Sequence, residues 1–385
     1  MITTTAIVAR EPEQPLSINW TMEEVEVYTP GEGEILVEMR ATGICHTDIV
    51  LSSVPAGTSG IQYPKILGHE GAGIVRALGQ NVKSVEVGDP VLLSYYSCSS
   101  CASCQSAHPA YCEAFAGGNY VGRQGGMKIS KNGEEPWSKY FGQSSFARHS
   151  LASEISVVNV KDMIKSEDEL KLFAPLGCGF QTGMGAILNS SNAGPDDVVM
   201  ILGLGAVGMG ALMTAKIREC KAIIVVDKVE ARLEHAKRLG ASHTINTGTP
   251  DNPNLKDAVR QLFPSGASVV IDTTGVPTLI EQSLQATQKR GKLVLIGVPP
   301  LGYELNVDVV QHINSGRSII GCIEGDCIPG KAIPQMIQWY REGRFPVDQL
   351  VRYFDVSDTS HLSWSDTIML TDTFQILRPP NINKH

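Results

Sequence analysis

The sequence predicts an α/β protein in which a β-rich region is followed by a doubly wound parallel sheet. Up to about Cys178 strand patterns prevail, and Glu34–Arg40 alternates apolar and polar residues as a half-buried strand does. From Asp197 onward, short apolar strands alternate with helical stretches, which is typical of βαβ units. A chain of 385 residues is long enough for two or three domains.

The second region shows a regular alternation of strands and helices. We predict strands at Asp197–Leu202, Ile223–Asp227, Ala267–Asp272, Leu293–Gly297 and Ser318–Cys322. We predict helices at Val207–Glu219, Glu230–Gly240 and Thr278–Thr287, and a further helix near Ile333–Glu342. In the first region, the Gly-, Lys- and Asn-rich segment Gly117–Tyr140 is expected to be an exposed excursion.

Composition and charge disfavour several classes of protein. Lys plus Arg total 32 and Asp plus Glu total 40, and the net charge of −8 argues against a protein that mainly binds nucleic acid. The apolar runs are too short to span a bilayer and the first residues lack a secretory pattern, so we expect no membrane partner and a cytoplasmic location. In that compartment, nine cysteines are better interpreted as metal ligands than as disulfides.

Four of these cysteines follow the spacing C-x2-C-x2-C-x7-C, at Cys98, Cys101, Cys104 and Cys112. Four thiolates so close in sequence can surround one zinc ion as a tetrahedron, which leaves no open position for a substrate. The spacing therefore predicts a structural zinc site. Unrelated buried cysteines and an iron–sulfur cluster are alternatives, whereas a nucleic-acid zinc ribbon is disfavoured because the loop contains no Lys or Arg.

Three further candidate ligands, Cys45, His69 and Cys178, are far apart in the sequence. Each lies close to a glycine, where the backbone can turn a side chain into a cleft. Two thiolates and one imidazole would leave the fourth position of a zinc ion open for a substrate oxygen. Spacing alone does not pair these residues, so ordinary packed side chains are the alternative.

A glycine fingerprint opens the second region. Gly203, Gly205 and Gly208 form G-x-G-x-x-G directly after an apolar strand, and the predicted helix begins at Val207. Such glycines permit a tight turn and a close approach of the backbone to a pyrophosphate. The next strand ends in Asp227, whose carboxylate can bind ribose hydroxyls and repel a 2′-phosphate, so NAD is favoured over NADP. A glycine-rich turn without a nucleotide is the alternative.

The combined motifs resemble the zinc-dependent medium-chain alcohol dehydrogenases, from about Thr5 to about Phe354. The most specific match is G-H-E-x2-G-x5-G-x2-V, present as Gly68, His69, Glu70, Gly73, Gly79 and Val82. The resemblance implies a GroES-like catalytic domain over residues 1–179 and 325–385, and a Rossmann cofactor domain over 180–324. It also implies a homodimer or homotetramer paired through the last strands of the Rossmann domain, with Gly302–Asp308 as the candidate segment.

The resemblance further implies two zinc ions per chain. The catalytic zinc would be bound by Cys45, His69 and Cys178, and the structural zinc by the four-cysteine motif described above. Glu70 would lie close behind the catalytic metal. Asp48 would accept a hydrogen bond from His69, which fixes the orientation of a ligating imidazole.

The family's mechanism carries over to four more positions. Thr47 maps onto the hydroxyl that accepts the alcohol proton, and a helix N-cap is the alternative for this residue. His46 maps onto a basic position near the cofactor pyrophosphate, with a solvated surface histidine as the alternative. Thr182 maps onto a position that touches the nicotinamide. Arg232 maps onto a basic residue beside the adenosine ribose.

Finer similarities point to the benzyl- or aryl-alcohol dehydrogenase branch of the family. The segments ICHTD, LGCGFQTG, FGQSSFA and GCIEGD are similar to sequences of that branch. They imply reversible oxidation of primary aromatic or allylic alcohols to aldehydes. Ser94, Tyr95 and Tyr96 are candidates to line the substrate pocket, with internal packing as the alternative. A specialised biosynthetic dehydrogenase with a larger substrate is the alternative function.

The sequence departs from the family pattern at two places. The histidine that ends the proton relay in several members is replaced by Val50, so the proton would leave through water or through His46. The usual Gly followed by a basic residue near the C-terminus is missing, and Gln375 or Arg378 is the candidate replacement. One missing phosphate contact would weaken NAD binding by about 1–3 kcal/mol.

Three other classes compete with this interpretation. A zinc-free quinone or enone reductase of the same fold is disfavoured because all the metal ligands are present. A nucleotide-binding or zinc-storage protein without activity would not need Thr47, Asp48 and Glu70 around the metal motif. A glutathione-dependent formaldehyde dehydrogenase would need a basic pocket that the sequence does not reveal.

Overall fold

The computed structural model describes residues 1–14, 16–249, 254–356 and 374–378. The described strands are β1 Ile2–Ala9, β2 Trp20–Val27, β3 Glu34–Gly43, β4 Glu70–Leu78, β5 Pro90–Leu93, β6 Met127–Ile129, β7 His149–Ser153, β8 Val157–Asn159, β9 Val198–Leu202, β10 Ala222–Asp227, β11 His243–Asn246, β12 Ala267–Asp272, β13 Thr287–Leu295, β14 Ser318–Gly321, β15 Val351–Asp355 and β16 Phe374–Arg378.

The described α-helices are α1 His46–Ser52, α2 Ala102–Gln105, α3 Glu167–Leu172, α4 Gly179–Gly185, α5 Ala206–Ile217, α6 Glu230–Leu239, α7 Leu255–Leu262, α8 Pro277–Ala286, α9 Val309–Ser315 and α10 Pro329–Arg341. Every helix in the described part of the chain is too short or too polar to cross a bilayer. The chain divides into two compact units, which confirms the predicted α/β class. Unit 1 comprises Met1–Cys178, Ile328–Arg341 and Pro346–His385, and unit 2 comprises Gly179–Cys327 and Glu342–Phe345.

Unit 1 is built mainly on a sheet with strand order β15-β16-β3-β4-β5-β8, and β7 also pairs with β3. Alternate residues of β3, namely Ile35, Val37 and Met39, are buried in the core of this unit, as the alternating pattern predicts. The antiparallel register of β3 with β4 pairs Gly43 with Glu70. The residues after β3 therefore lie beside the residues that open β4.

A second sheet of unit 1 has the order β1-β2-β6 and is antiparallel. Strand β6 lies inside the segment Gly117–Tyr140 and parts of the segment are buried, so the expectation of an exposed excursion is wrong for those parts. Asn119 and Tyr140 in this segment are fully buried, and Lys65 donates a hydrogen bond to the carbonyl of Val121. Hydrogen bonds to distant segments hold this segment in place, and its polar composition does not reveal them.

Unit 2 contains a six-stranded parallel sheet with the order β11-β10-β9-β12-β13-β14. This is the doubly wound order in which the first strand lies at the centre and the chain reverses direction beside it. Buried aliphatic side chains of β9, β10 and β12, such as Met200, Ile224 and Val270, form its core. The carboxyl ends of β9 and β10 place the glycine turn and Asp227 at one edge of the sheet.

Several element predictions in unit 2 need correction. Strand β13 begins at Thr287, whereas the prediction began at Leu293. The prediction missed the first half of the strand because that half is polar and carries exposed side chains. The sequence did not predict β11, α7 and α9. These elements are short and only partly buried, so their residues do not show a clear apolar pattern. The candidate pairing segment Gly302–Asp308 is not a strand, since it runs as a turn and coil into α9.

Candidate active site

Unit 1 brings together the three predicted ligands that are scattered along the sequence. One potential ligand atom from each of Cys45, His69, Glu70 and Cys178 lies within 4.8 Å of those of the others. His69, Glu70 and Cys178 are buried, whereas Cys45 is partly exposed. The β3–β4 register explains the convergence of the first three residues, because Cys45 follows β3 and His69 precedes β4.

Asp48 connects Cys45 and His69 from within the interior. Its Oδ1 lies 3.0 Å from Nδ1 of His69 and accepts the main-chain N–H of Gly68 at 3.0 Å. Its Oδ2 accepts the main-chain N–H of Cys45 at 3.0 Å. With Nδ1 held by the carboxylate, the other ring nitrogen is the one available to a metal.

The residues present fit a bound zinc ion. Within the described residues, Nε2 of His69 is buried and has no hydrogen-bond partner, which is costly unless another group occupies the position. A hydrogen bond from Cys178 lowers the pKa of the Cys45 thiol well below its usual range, and the opposing effect of burial is smaller. Two thiols, one imidazole and one carboxylate are a donor set that zinc prefers.

The four-cysteine motif also forms a compact cluster in unit 1. The Sγ atom of Cys101 lies 3.5 Å from Sγ of Cys104 and 4.0 Å from Sγ of Cys112. The Sγ atoms of Cys98 and Cys104 are 3.9 Å apart. Zn–S bonds of about 2.3 Å require sulfur atoms about 3.8 Å apart in a tetrahedron. Main-chain N–H groups approach the sulfurs, for example Cys98 N at 3.2 Å from Cys112 Sγ. The cluster therefore suits one zinc ion with no open position.

The two residues after Cys45 lie in the first turn of α1. Thr47 Oγ1 is 3.7 Å from Cys45 Sγ, so the hydroxyl lies beside the sulfur of a predicted ligand. The interpretation of Thr47 as a helix N-cap is wrong, because Cys45 is the N-cap and Thr47 is the second helical residue. His46 is exposed. Val50, which replaces the relay histidine, lies in the same helix.

The sequence interpretation misses two aromatic side chains, Phe141 and Tyr140, that pack against the His69 imidazole. Phe141 stacks on the imidazole with ring centroids 4.3 Å apart and an interplanar angle of 20°. Tyr140 meets the same imidazole edge-on at 5.5 Å. Phe141 has a positive φ of 53°, which is strained for an aromatic residue and sets this side chain against the ligand. Phe141 begins the segment FGQSSFA, which the sequence analysis notes as similar to the aryl-alcohol branch without giving Phe141 a role.

The candidate pocket residues before the four-cysteine motif pack internally for the most part. Ser94 and Tyr95 are buried, and Tyr96 is half-buried. The Tyr95 ring lies 5.9 Å from that of Phe115. Of the three candidates, only Tyr96 retains substantial exposed surface.

In unit 2, the glycine fingerprint forms the turn between β9 and α5. Gly203 has a φ of +85°, and a Cβ atom there would collide with Thr273 Oγ1 at 2.5 Å. A side chain on Gly208 would overlap the carbonyl of Gly203, so this glycine permits close packing of the helix on the turn. Gly205 is the N-cap of α5, and Val207 is in its first turn. The geometry is that of a turn whose backbone can approach a phosphate.

Asp227 lies beside this turn at the end of β10. Its Oδ2 accepts the N–H of Leu204 at 2.7 Å, and Arg232 Nη1 lies 3.8 Å from the same oxygen. The acidic and the basic residue predicted for the ribose pocket are therefore neighbours. Thr182 is buried in α4.

Asp272, at the end of β12, is a further buried carboxylate near the fingerprint that the sequence interpretation missed. It accepts hydrogen bonds from Thr274 and Gly275, and burial raises the pKa of its carboxyl.

The structure describes only part of Gln375 and Arg378, the two candidates near the C-terminus. Gln375 and Arg378 belong to β16, which pairs in parallel with β15. The structure describes their main chain, and their side chains lie outside the described part. Their role as replacements for the missing basic residue stays a prediction.

The chain is similar to known proteins over nearly its whole length. Family models described as "Alcohol dehydrogenase GroES-like domain" and "Zinc-binding dehydrogenase" match residues 31–161 and 206–342. A geraniol dehydrogenase of Castellaniella defragrans is 34% identical over 94% of both chains.

Two solved structures share the fold at a comparable identity. An alcohol dehydrogenase zinc-binding domain protein of Burkholderia ambifaria has a TM-score of 0.90 at 37% identity, covering 99% of this chain and 100% of that one. A benzyl alcohol dehydrogenase of Acinetobacter calcoaceticus has a TM-score of 0.87 at 34% identity, covering 98% and 100%.

The fold, the two cysteine sites and these similarities define an alcohol dehydrogenase, an enzyme class whose substrates are small molecules. The chain belongs to the zinc-dependent medium-chain alcohol dehydrogenase family. Unit 1 contains the GroES-like domain, and unit 2 has the Rossmann topology.

Proposed function

We propose that this enzyme interconverts primary aromatic or allylic alcohols and their aldehydes, with NAD as the hydride acceptor. The observation that carries the proposal is the convergence of Cys45, Cys178 and His69 in unit 1, where Nε2 of His69 has no hydrogen-bond partner among the described residues. Two relatives support the substrate class, because one is named for geraniol, an allylic alcohol, and the other for benzyl alcohol, an aromatic one.

In this proposal Cys45, His69 and Cys178 hold the catalytic zinc, which supplies Lewis-acid polarisation of the alcohol oxygen when bound. The Glu70 carboxylate, which lies within 4.8 Å of the three ligand atoms, would stay close behind the metal and leave the fourth position open for the alcohol. Asp48 keeps the proton of His69 on Nδ1 and so presents Nε2 as the ligand.

Thr47 accepts the alcohol proton through its hydroxyl, since a hydroxyl can accept one hydrogen bond and donate another. With Val50 in place of a relay histidine, the proton passes on through water or through the exposed His46. His46 is also the basic residue that we propose for the position near the cofactor pyrophosphate.

The proposed cofactor site is the glycine turn of unit 2. Gly203, Gly205 and Gly208 allow the backbone to approach the pyrophosphate, and α5 directs its N-terminus toward it. Asp227 binds the adenosine ribose and disfavours NADP, and Arg232 lies beside the same sugar.

Thr182 contacts the nicotinamide in this proposal. We assign the catalytic role to residues 1–179 with 325–385 and the NAD-binding role to 180–324. The four-cysteine cluster binds a second, structural zinc ion.

The proposal also includes a homodimer or homotetramer formed through unit 2. Large apolar side chains flank Gly302–Asp308 and are strongly exposed, namely Val298, Leu301, Val309, Val310 and Ile313. Light scattering of the purified protein tests this part, and a monomer would contradict it. The cytoplasmic location stays a prediction.

The test of the reaction is NAD reduction by the purified protein with geraniol, cinnamyl alcohol, benzyl alcohol, hexanol and ethanol. We expect the aromatic and allylic alcohols to be turned over best and NADP to be used poorly. Cys45→Ser should abolish turnover, whereas Cys220→Ser, at a thiol that belongs to neither cysteine cluster, should retain it. No turnover by a protein with two bound zinc ions would overturn the substrate class and favour a dedicated enzyme with a larger substrate.

A further inference from the structure

Gln143 is a fully buried amide that makes three hydrogen bonds to main-chain groups of unit 1. Its Nε2 donates to the carbonyl of His69 at 2.8 Å and to the carbonyl of Ser94 at 2.9 Å. Its Oε1 accepts the N–H of Gly71 at 3.2 Å. The amide orientation is fixed, because the opposite orientation would set an oxygen against two carbonyls and an NH₂ group against an N–H.

Ser94 extends this connection toward another predicted zinc ligand. Its hydroxyl is fully buried and donates to the carbonyl of Gly177 at 2.6 Å. Gly177 immediately precedes Cys178 in the chain. A side chain on Gly177 would overlap the carbonyl of Leu93, so the two segments can approach only because this residue is a glycine.

The result is a continuous hydrogen-bonded link between the main chain at His69 and the main chain next to Cys178. It runs from His69 through Gln143 and Ser94 to Gly177. Asp48 supplies a corresponding link between Cys45 and His69. Buried hydrogen bonds thus connect Cys45 with His69, and His69 with the residue that precedes Cys178.

We propose that Gln143, acting with Ser94, is a positioning residue that sets the spacing between His69 and Cys178 before zinc binds. The inference rests on the proposed catalytic zinc. A site whose ligands come from distant parts of the sequence binds metal more tightly when their spacing is fixed in advance. Loss of such a supporting group typically weakens metal affinity about 10–100-fold.

Asn119 provides a matched control for this role. It is also a fully buried amide of unit 1 with three main-chain hydrogen bonds, one from Tyr96 N and two to the carbonyls of Tyr96 and Phe115. None of these partners is a predicted ligand of the catalytic zinc or its immediate neighbour. Replacing either amide removes equivalent interactions, but only Gln143 is connected to the proposed ligands.

The experiment compares Gln143→Met, Ser94→Ala and Asn119→Leu with the wild-type holoenzyme. Zinc affinity is measured by competition with a chromophoric chelator, and ligand geometry by the visible spectrum of the cobalt(II)-substituted protein. We expect Gln143→Met and Ser94→Ala to weaken the three-ligand site about 10–100-fold and to shift the cobalt bands. The four-cysteine site serves as the internal reference and should be unchanged in these two variants, and the three-ligand site should be unchanged in Asn119→Leu.

The double variant Gln143→Met/Ser94→Ala tests whether Gln143 and Ser94 form one connection or act as two independent contacts. We expect its loss of affinity to be smaller than the product of the two single losses, because either change breaks the same connection. Unchanged affinity and unchanged cobalt bands in both single variants would overturn the inference, as would an equal loss in Asn119→Leu. A wild-type protein that binds no zinc outside the four-cysteine site would instead overturn the proposed function itself.

Discussion

Asp48 Oδ1 lies 3.0 Å from His69 Nδ1, and neither side chain has any exposed surface. Such a buried pair is costly to desolvate, and it persists because the carboxylate also accepts the N–H groups of Cys45 and Gly68. Charge from Asp48 and Cys45 outweighs the effect of burial and raises the pKa of the His69 imidazole well above its usual range.

The first prediction concerns this pair. Asp48→Asn should weaken zinc binding at the three-ligand site about 10–100-fold, because an amide lacks the charge and presents an NH₂ group where an acceptor is needed. Chelator competition measures the affinity. Asp168→Asn, at a side chain that is 95% exposed, is the control and should bind zinc like the wild type. Equal affinities of Asp48→Asn and the wild type would refute the supporting role of Asp48.

The second prediction tests the close approach of β3 to Glu70. A Cβ atom on Gly43 would overlap the Glu70 carboxylate, so Gly43→Ala should displace that side chain from the ligand cluster. We expect reduced zinc occupancy and at least about tenfold lower kcat, which corresponds to about 1.4 kcal/mol. Gly330→Ala should leave both quantities unchanged, because the added carbon meets no described atom within 4 Å beyond its chain neighbours and its own helix backbone.

The third prediction addresses the choice of cofactor. Asp227→Asn should lower kcat/KM for NAD and raise it for NADP, because the charge that repels a 2′-phosphate is removed while Arg232 remains nearby. The ratio of the two values should change at least about tenfold, or about 1.4 kcal/mol. Steady-state kinetics with both cofactors measure it, with Asp257→Asn on α7 as the control. An unchanged ratio would remove Asp227 from the specificity site.

The fourth prediction concerns metal content. Cys104→Ser should reduce the zinc content from two ions per chain to one and lower the thermal stability, because the tetrahedral cluster loses a ligand. Mass spectrometry of metals after gel filtration counts the ions. Cys220→Ser should keep two, since burial raises the pKa of the Cys220 thiol to about 11 and this thiol lies in neither cluster. Two ions in Cys104→Ser would disprove the assignment.

The fifth prediction concerns pH and stability. Burial lowers the pKa of Lys65 to about 7 from 10.5, and its Nζ donates to the Val121 carbonyl at 2.5 Å. Between pH 7 and 10.5 the unfolded chain binds a proton at this position and the folded chain does not, so the Lys65 contribution to stability rises with pH. It is fully present above the unfolded pKa and is lost as the pH falls toward 7.

Lys65→Met should therefore flatten the pH dependence. The free energy of unfolding of the wild type should rise relative to the variant by up to about 1.4 kcal/mol per pH unit between pH 7 and 9. Urea denaturation at several pH values measures this difference. The exposed Lys83→Met should follow the wild type. Parallel profiles for the wild type and Lys65→Met would show that Lys65 stays protonated when buried.

The sequence interpretation succeeds where chemistry depends on local spacing. The four-cysteine spacing anticipates sulfur atoms 3.5–4.0 Å apart, and the fingerprint anticipates a glycine turn with φ of +85° at Gly203. Cys45, His69 and Cys178 are chosen through resemblance, and the structure brings their ligand atoms together. By contrast, β13 is assigned too late because its polar first half does not show the apolar pattern.

The amino-acid sequence by itself determined the four-cysteine motif and the glycine turn, because each follows from residue types at fixed short spacings. The family and the set of Cys45, His69 and Cys178 were indicated by resemblance. Only the tertiary structure decided that Phe141 stacks on His69, that Gln143 links His69 to Ser94, and that Lys65 is buried. These relationships join residues that are remote in the chain and depend on strand register and main-chain hydrogen bonds. A local pattern carries no information about them, since the partner of a buried polar group is fixed only when the segments pack together.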